Sequence, residues 1–133
     1  MANQRFDFSK FQRRWEQEKK QLPVIVAREA ENHFKEGFRL GGFLDDVIQK
    51  WLPRKKPDAG RGILVKSGRL RRSIRAVPGY DFSEIKIASD VPYARRHNEG
   101  LDGMPKRQFL GPSKMLHRKI AGFAVEAIKR VFS

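Results

Sequence analysis

Cysteine is absent from this 133-residue chain, which removes disulfide frameworks and thiolate chemistry and is compatible with a reducing cytoplasm. Histidine occurs only as His33, His97 and His117, far apart and without partners at metal-ligand spacing, so no metal site is expected. Long apolar runs are missing too. No window approaches the roughly 18 uninterrupted apolar residues of a membrane span, and "MANQRFDFSK" lacks an apolar stretch of signal-peptide length. The expectation is a soluble, intracellular chain with no membrane partner, forming one domain over 1–133.

Acidic residues are scarce relative to basic ones: 15 Asp and Glu stand against 29 Lys and Arg, a formal charge of +14. The excess is uneven. Residues 1–60 hold 13 basic and 9 acidic groups, whereas residues 61–133 hold 16 and 6. A field of this sign attracts nucleic acid, anionic membranes or acidic proteins without choosing among them.

Between about Ser9 and Lys35 the residues Phe11, Trp15, Leu22, Val26, Ala30 and Phe34 keep helical spacing. Glu16 with Lys20 and Glu31 with Lys35 add acid-first pairs four apart. Ser9 suits the N-cap and Gly37 the stop. Pro23 kinks or splits the run; one long kinked helix, on the order of 40 Å, is the reading we favour. In "GGFLDDVIQKWLP" the positions Phe43, Leu44, Val47, Ile48 and Trp51 fit a short helix closed by Pro53. The adjacent Asp45 and Asp46 read as solvated. The stretch 53–62, rich in Pro, Gly and charge, has the composition of a mobile loop, and 98–107 reads as a second one.

Alternation then replaces helical spacing. "SIRAV" and "SEIKIAS" place Ile74 and Ala76, then Ile85 and Ile87, on one face, and the intervening "VPGY" suits a type II turn. "VPYARRHNEG" reads as a turn or a single helical turn, and "RQFL" as a short edge strand. Gly111 and Pro112 open a final helix whose stripe is Leu116, Ile120, Phe123, Ala127, Ile128 and Val131. The fold class is α+β: a small antiparallel sheet, with a hairpin about 73–88 and an edge strand near 107–110, packed against a long N-terminal and a C-terminal helix.

"LVKSGRLRRSIRAV" (64–77) lacks the G-x-x-x-x-G-K-[ST] pattern of a nucleotide cradle. It reads as an elbow: Ser67 caps a helical turn over 68–72, Leu70 points inward, and the chain enters the first strand. Arg69, Arg71, Arg72 and Arg75 cannot all face one way from such an elbow, yet two or three could form a patch for phosphate or an acidic partner. "RRHNEG" has no second metal-spaced histidine, and no Ser-His-Asp order is suggested. Phe11, Trp15, Phe34 and Phe123 fall on helical stripes, where core packing is the default over base stacking. No catalytic, cofactor-binding or metal-ligating residue is assigned.

Three strings in order, "ILVKSGRLRRSI", "YARRHNEG" and "KRQFLGPS", resemble the signature of the tailed-phage virion-morphogenesis family, which includes Mu-type and related tail-completion, or neck, components. Leu64, Ser67, Gly68, Leu70, Arg71, Ser73 and Ile74 match its first part. Tyr93, Ala94, His97 and Gly100 match the second, and Arg107, Phe109, Leu110 and Gly111 the third. The chain departs from the pattern at Gln108, where Pro is usual, and at Asn98-Glu99, where a Gln-aromatic pair is commoner. The resemblance spans roughly residues 34–113. It implies a non-enzymatic structural protein without cofactor, made in the cytoplasm of a bacterial host and ending in the virion neck or tail. It also implies a homo-oligomeric ring, of six copies by analogy, that joins tail-tube and head–tail connector proteins.

On that reading the interface or phosphate-contacting residues are Arg69, Arg71, Arg72, Arg75, Tyr93, Arg95, Arg96, His97, Arg107 and Phe109, with non-specific DNA contact as one use of the charge. The alternative is a basic DNA- or RNA-binding module using Arg69, Arg71, Arg72, Arg95 and Arg96.

Overall fold

The computed structural model describes residues 3–54, 68–78 and 84–133. The element order is α1 (Ser9–Leu40), β1 (Gly42–Leu44), β2 (Ile48–Lys50), α2 (Arg69–Ser73), β3 (Arg75–Pro78), β4 (Ile85–Ala88), α3 (Ala94–Glu99) and α4 (Lys114–Phe132). This is an α+β fold, with a long N-terminal helix, a C-terminal helix and two small antiparallel hairpin sheets.

Helix α1 runs unbroken through Pro23, so the proline does not split it, and its 32 residues extend for about 48 Å. It starts after Phe8 rather than with Ser9 as cap; Ser9 N–H instead donates to Asp7 Oδ1 at 2.9 Å. Nor does it stop at Gly37. It ends at Leu40, with Gly41 in the left-handed region (φ 74°) donating back to the Gly37 carbonyl. Gly37 has another use: a Cβ there would lie 2.4 Å from the Gly42 carbonyl oxygen, so its bare backbone lets β1 lie directly against the helix.

The segment read as a short helix over 43–51 is a hairpin. Gly42 pairs with Lys50, Phe43 with Gln49 and Leu44 with Ile48, and Trp51 N–H donates to the Gly41 carbonyl at 2.9 Å. Phe43, Leu44 and Trp51 are buried, whereas Val47, placed on the helical stripe by spacing, is 72% exposed at the turn. Asp45 and Asp46 are not merely solvated. Asp45 Oδ1 accepts from Lys114 N–H at 2.9 Å and Asp46 pairs with Arg118 at 2.7 Å, putting both acids at the positive, N-terminal end of α4.

The second hairpin follows the alternation. Arg75 pairs with Ala88, Ala76 with Ile87, Val77 with Lys86 and Pro78 with Ile85. Its type II turn at 77–80 lies in part outside the described residues, as do Ser67 and all of the 53–62 loop after Arg54. No strand forms at 107–110. Helix α4 begins later than Gly111-Pro112 suggested, with Ser113 as N-cap accepting from Leu116 N–H at 3.2 Å.

Two apolar clusters fill the interior. The larger joins Phe34 and Phe38 of α1 to Phe43, Trp51, Ile74 and Phe109, among others; the smaller joins Leu22 and Val26 to Ala127. Ile120 touches both. Phe38 sits at the centre, its ring 5.3 Å from that of Trp51 and 5.6 Å from that of Phe109. Phe38→Ala should lower unfolding stability by about 3–5 kcal/mol, against less than about 0.5 kcal/mol for Val47→Ala. Urea midpoints at constant slope measure both.

Candidate functional site

The elbow begins at Gly68 (φ 71°), and α2 then turns Leu70 into the core and delivers fully buried Ile74 to the sheet. Ser73 Oγ fastens it twice, donating to the Leu70 carbonyl at 2.6 Å and meeting Ser89 Oγ at 2.5 Å. The arginines spread rather than converge. Arg71 helps hold the Glu36 carboxyl below its ordinary range, after the dominant hydrogen bond from Arg39. Arg75 makes a smaller contribution at Glu31, whose carboxyl is lowered first by Lys35 and then by the Ala76 amide. Arg72 lies across Gly68, and Arg69 and Arg72 are exposed.

A second group gathers around α3. Tyr93 is half-buried, its ring 5.9 Å from His97 and perpendicular to it. Arg95 pairs with Glu99 at 2.9 Å and Arg96 with Asp102 at 3.0 Å, both pairs exposed and therefore weak. His97 Nδ1 is buried without a hydrogen-bond partner, and burial, aided by Arg107, lowers the pKa of the ring. Arg107 is bound by the chain itself. Its amide donates to the His97 carbonyl at 2.8 Å, and its guanidinium donates to the carbonyls of Leu52 (3.0 Å) and Pro53 (3.3 Å). Phe109 is buried in the aromatic core and presents no surface for contact.

Asn98 and Gln108, the two departures from the family pattern, both have structural duties. Asn98 Oδ1 accepts from the amides of Phe109 (2.8 Å) and Leu110 (3.0 Å), taking the hydrogen bonds that a neighbouring strand would otherwise supply. Gln108 Nε2 donates to the Leu110 carbonyl at 3.2 Å, while its backbone carbonyl, which a proline would equally supply, accepts the Trp51 indole N–H at 2.7 Å. Of the expected loop 98–107, Asn98 and Glu99 belong to α3 and the remainder is pinned at His97 and Arg96.

Sequence reasoning missed His33. Its Nε2 lies 3.0 Å from both the Leu44 carbonyl oxygen and Ser113 Oγ, and Ser113 Oγ donates to the same carbonyl at 2.5 Å. A carbonyl only accepts, so Nε2 carries the proton and Nδ1 is left bare, buried and unpartnered. Protonating Nδ1 would bury an N–H⁺ without an acceptor. Burial accordingly lowers the His33 pKa from 6.5; Lys119 acts in the same direction, while the Leu44 carbonyl and Glu29 oppose it. Only a capping serine 80 residues away reveals this role, and spacing along the chain carries no trace of it.

Among the described residues no three His, Asp or Glu side chains gather as a metal-ligand group, and no helix is long and apolar enough to cross a membrane. The predicted residues therefore form two separate basic neighbourhoods, α2 with the start of β3, and α3 with Arg107. No family model, curated protein or solved structure matches the chain.

Two predictions follow from these contacts. Because folding depresses the His33 and His97 pKa values, the unfolded chain binds more protons below about pH 6.5, and stability should fall as pH drops through that value. Melting temperatures between about pH 7.5 and 5.5 should decline in the parent. The slope should flatten in His33→Gln and further in His33→Gln/His97→Gln; an unchanged slope in the double variant would contradict the assignment. Asn98→Ala strands two amides and should cost about 1–3 kcal/mol. Asn98→Asp, which keeps the accepting oxygen, should restore most of it by chemical denaturation.

Proposed function

We propose that this chain is a structural component of a phage virion, acting in tail completion or head–tail joining as one copy of a ring. The observation that carries the reading is where the family-like residues sit. Leu70 and Ile74 from the first string, Ala94 from the second and Phe109 from the third all enter one core, with Tyr93 and Leu110 packed against it. Family-like residues far apart in sequence thus meet in one core and shape a protomer, as an assembly protein would require of its signature. Such a protein works through its outline. The long α1 offers surface to neighbours.

The nucleic-acid alternative has less support. The exposed Arg95–Glu99 and Arg96–Asp102 pairs weigh little either way, but Arg107 is engaged by backbone carbonyls, and Arg71 and Arg75 act on acids of α1. Phosphate binding would compete with these contacts.

A ring of copies each carrying +14 is opposed by its own charge. Self-association should therefore rise with protein concentration and with salt, as screening weakens the repulsion. Multi-angle light scattering should resolve one closed oligomer, six copies by the family analogy. A monomer at every concentration and salt that also ignores purified tail-tube and connector proteins would overturn the proposal.

A further inference from the structure

The start of α1 and the end of α4 come together around a recess that the fold leaves open. Phe11 lies 5.3 Å from Phe132 and 6.3 Å from Phe8, ring centre to ring centre, and Val131 is buried at the floor. Arg14 ties the two helices by donating to the Val131 carbonyl at 3.2 Å and to that of Ser133. The recess measures about 410 Å³, and its lining is apolar apart from Gln12. The side chains around its mouth are large and exposed: Phe8 63%, Ile128 51% and Phe132 68%. Beside it the outer face of α1 carries Ser9, Arg13, Glu16 and Lys20 next to the shared Gln12 and Trp15. The apolar recess thus has a polar, largely basic flank.

The charges beside it fix the sign of the occupant. Residues 5–20 contain six basic and three acidic groups. Each acid is already engaged: Asp7 by the Ser9 amide, Glu16 by Lys19 at 3.3 Å and Glu18 by Arg130 at 2.7 Å. Arg5, Lys10 and Lys20 have no acidic partner among the described residues. A second copy of this chain would bring another +14 to this surface, whereas a carboxylate-bearing partner would neutralise it. A bilayer receives protruding apolar groups on a flat surface; a recess between two helix ends instead receives anchoring side chains, as grooves that hold helices do.

We propose that this recess docks an acidic amphipathic helix of a partner protein, its apolar anchors among Phe8, Phe11 and Phe132 and its carboxylates along Arg13 and Lys20. The site is independent of the ring reading, which is judged by mass whereas this one is judged by peptide binding.

The test uses the full chain and three fluorescein-labelled synthetic helical peptides, read by anisotropy. One has a Leu/Phe face flanked by Glu, one has Lys in place of every Glu, and one scrambles the Glu peptide to abolish its apolar face. The Glu peptide should bind at least tenfold more tightly than either of the others, and its affinity should fall with salt. The charge-neutral variants Phe8→Ser and Ile128→Ser, both at exposed positions and checked for unchanged melting, should each weaken it at least fivefold; Val47→Ser should not. Arg13→Glu/Lys20→Glu should reverse the preference between Glu and Lys peptides. Equal binding of the Glu and scrambled peptides, or indifference to Phe8→Ser and Ile128→Ser, would overturn the proposal. So would capture by anionic phospholipid vesicles with no peptide binding, or loss of self-association as the only effect of the two variants.

Discussion

One face of α1, from Leu22 to Phe38, meets α4, both hairpins and the elbow helix α2. Without it neither hairpin has anything to lie against, since two strands alone are marginal in water. The face works in two registers. Leu22 and Val26 pack on Ala127 of α4, while Phe34 and Phe38, two turns further on, build the aromatic cluster with Phe43, Trp51 and Phe109. Glycine at position 37 then matters as much as the aromatics beside it, because any side chain there would push β1 away and open the aromatic cluster.

Polar contacts fix how the elements sit on that face. Glu31 reaches from α1 to the Ala76 amide of β3 at 3.1 Å while holding Lys35 at 2.8 Å, so one carboxylate positions the second hairpin. Glu18 receives two hydrogen bonds from Arg130, tying α1 to the end of α4. His33, Ser113 and the Leu44 carbonyl join α1, β1 and the start of α4 at one buried point. Hydrogen bonds such as these contribute little net energy when made, yet losing one partner leaves a buried group unsatisfied, so they specify geometry more than they add stability.

Much of this was legible where local pattern and tertiary need agree. The alternation at Ile74, Ala76, Ile85 and Ile87 gave the second hairpin, and the stripes of α1 and α4 gave both long helices. The first hairpin was not legible by the same means. Phe43, Leu44, Val47, Ile48 and Trp51 fit a helical stripe, and a three-residue strand is too short for alternation to outvote it. Its turn residues, the Gly41-Gly42 and Asp45-Asp46 pairs, were the better signal. At 107–110 an edge strand was expected and none forms; the amides of Phe109 and Leu110 are taken by a side chain, Asn98, which no strand pattern announces. The spreading of the arginines at the elbow followed from helix geometry alone. The roles of His33 and Ser113 depend on a contact across 80 residues.

The aromatic residues at the start of α1 were misjudged for a related reason. Phe11 and Trp15 continue the stripe that Leu22, Val26, Ala30 and Phe34 bury, so core packing was the natural inference for all of them. Phe11 does meet α4, its ring 5.3 Å from that of Phe132, yet Phe132 is itself exposed, so the contact between the two helix ends stays open on one side. The exposed parts of Phe8, Ile128 and Phe132 around that opening would contribute about 25 cal/mol for each Å² that a partner covered. On the docking proposal, the basic residues of α1 beside that surface would favour an acidic partner, which would make the open end of the α1–α4 pair chemically different from the closed core that shapes the protomer.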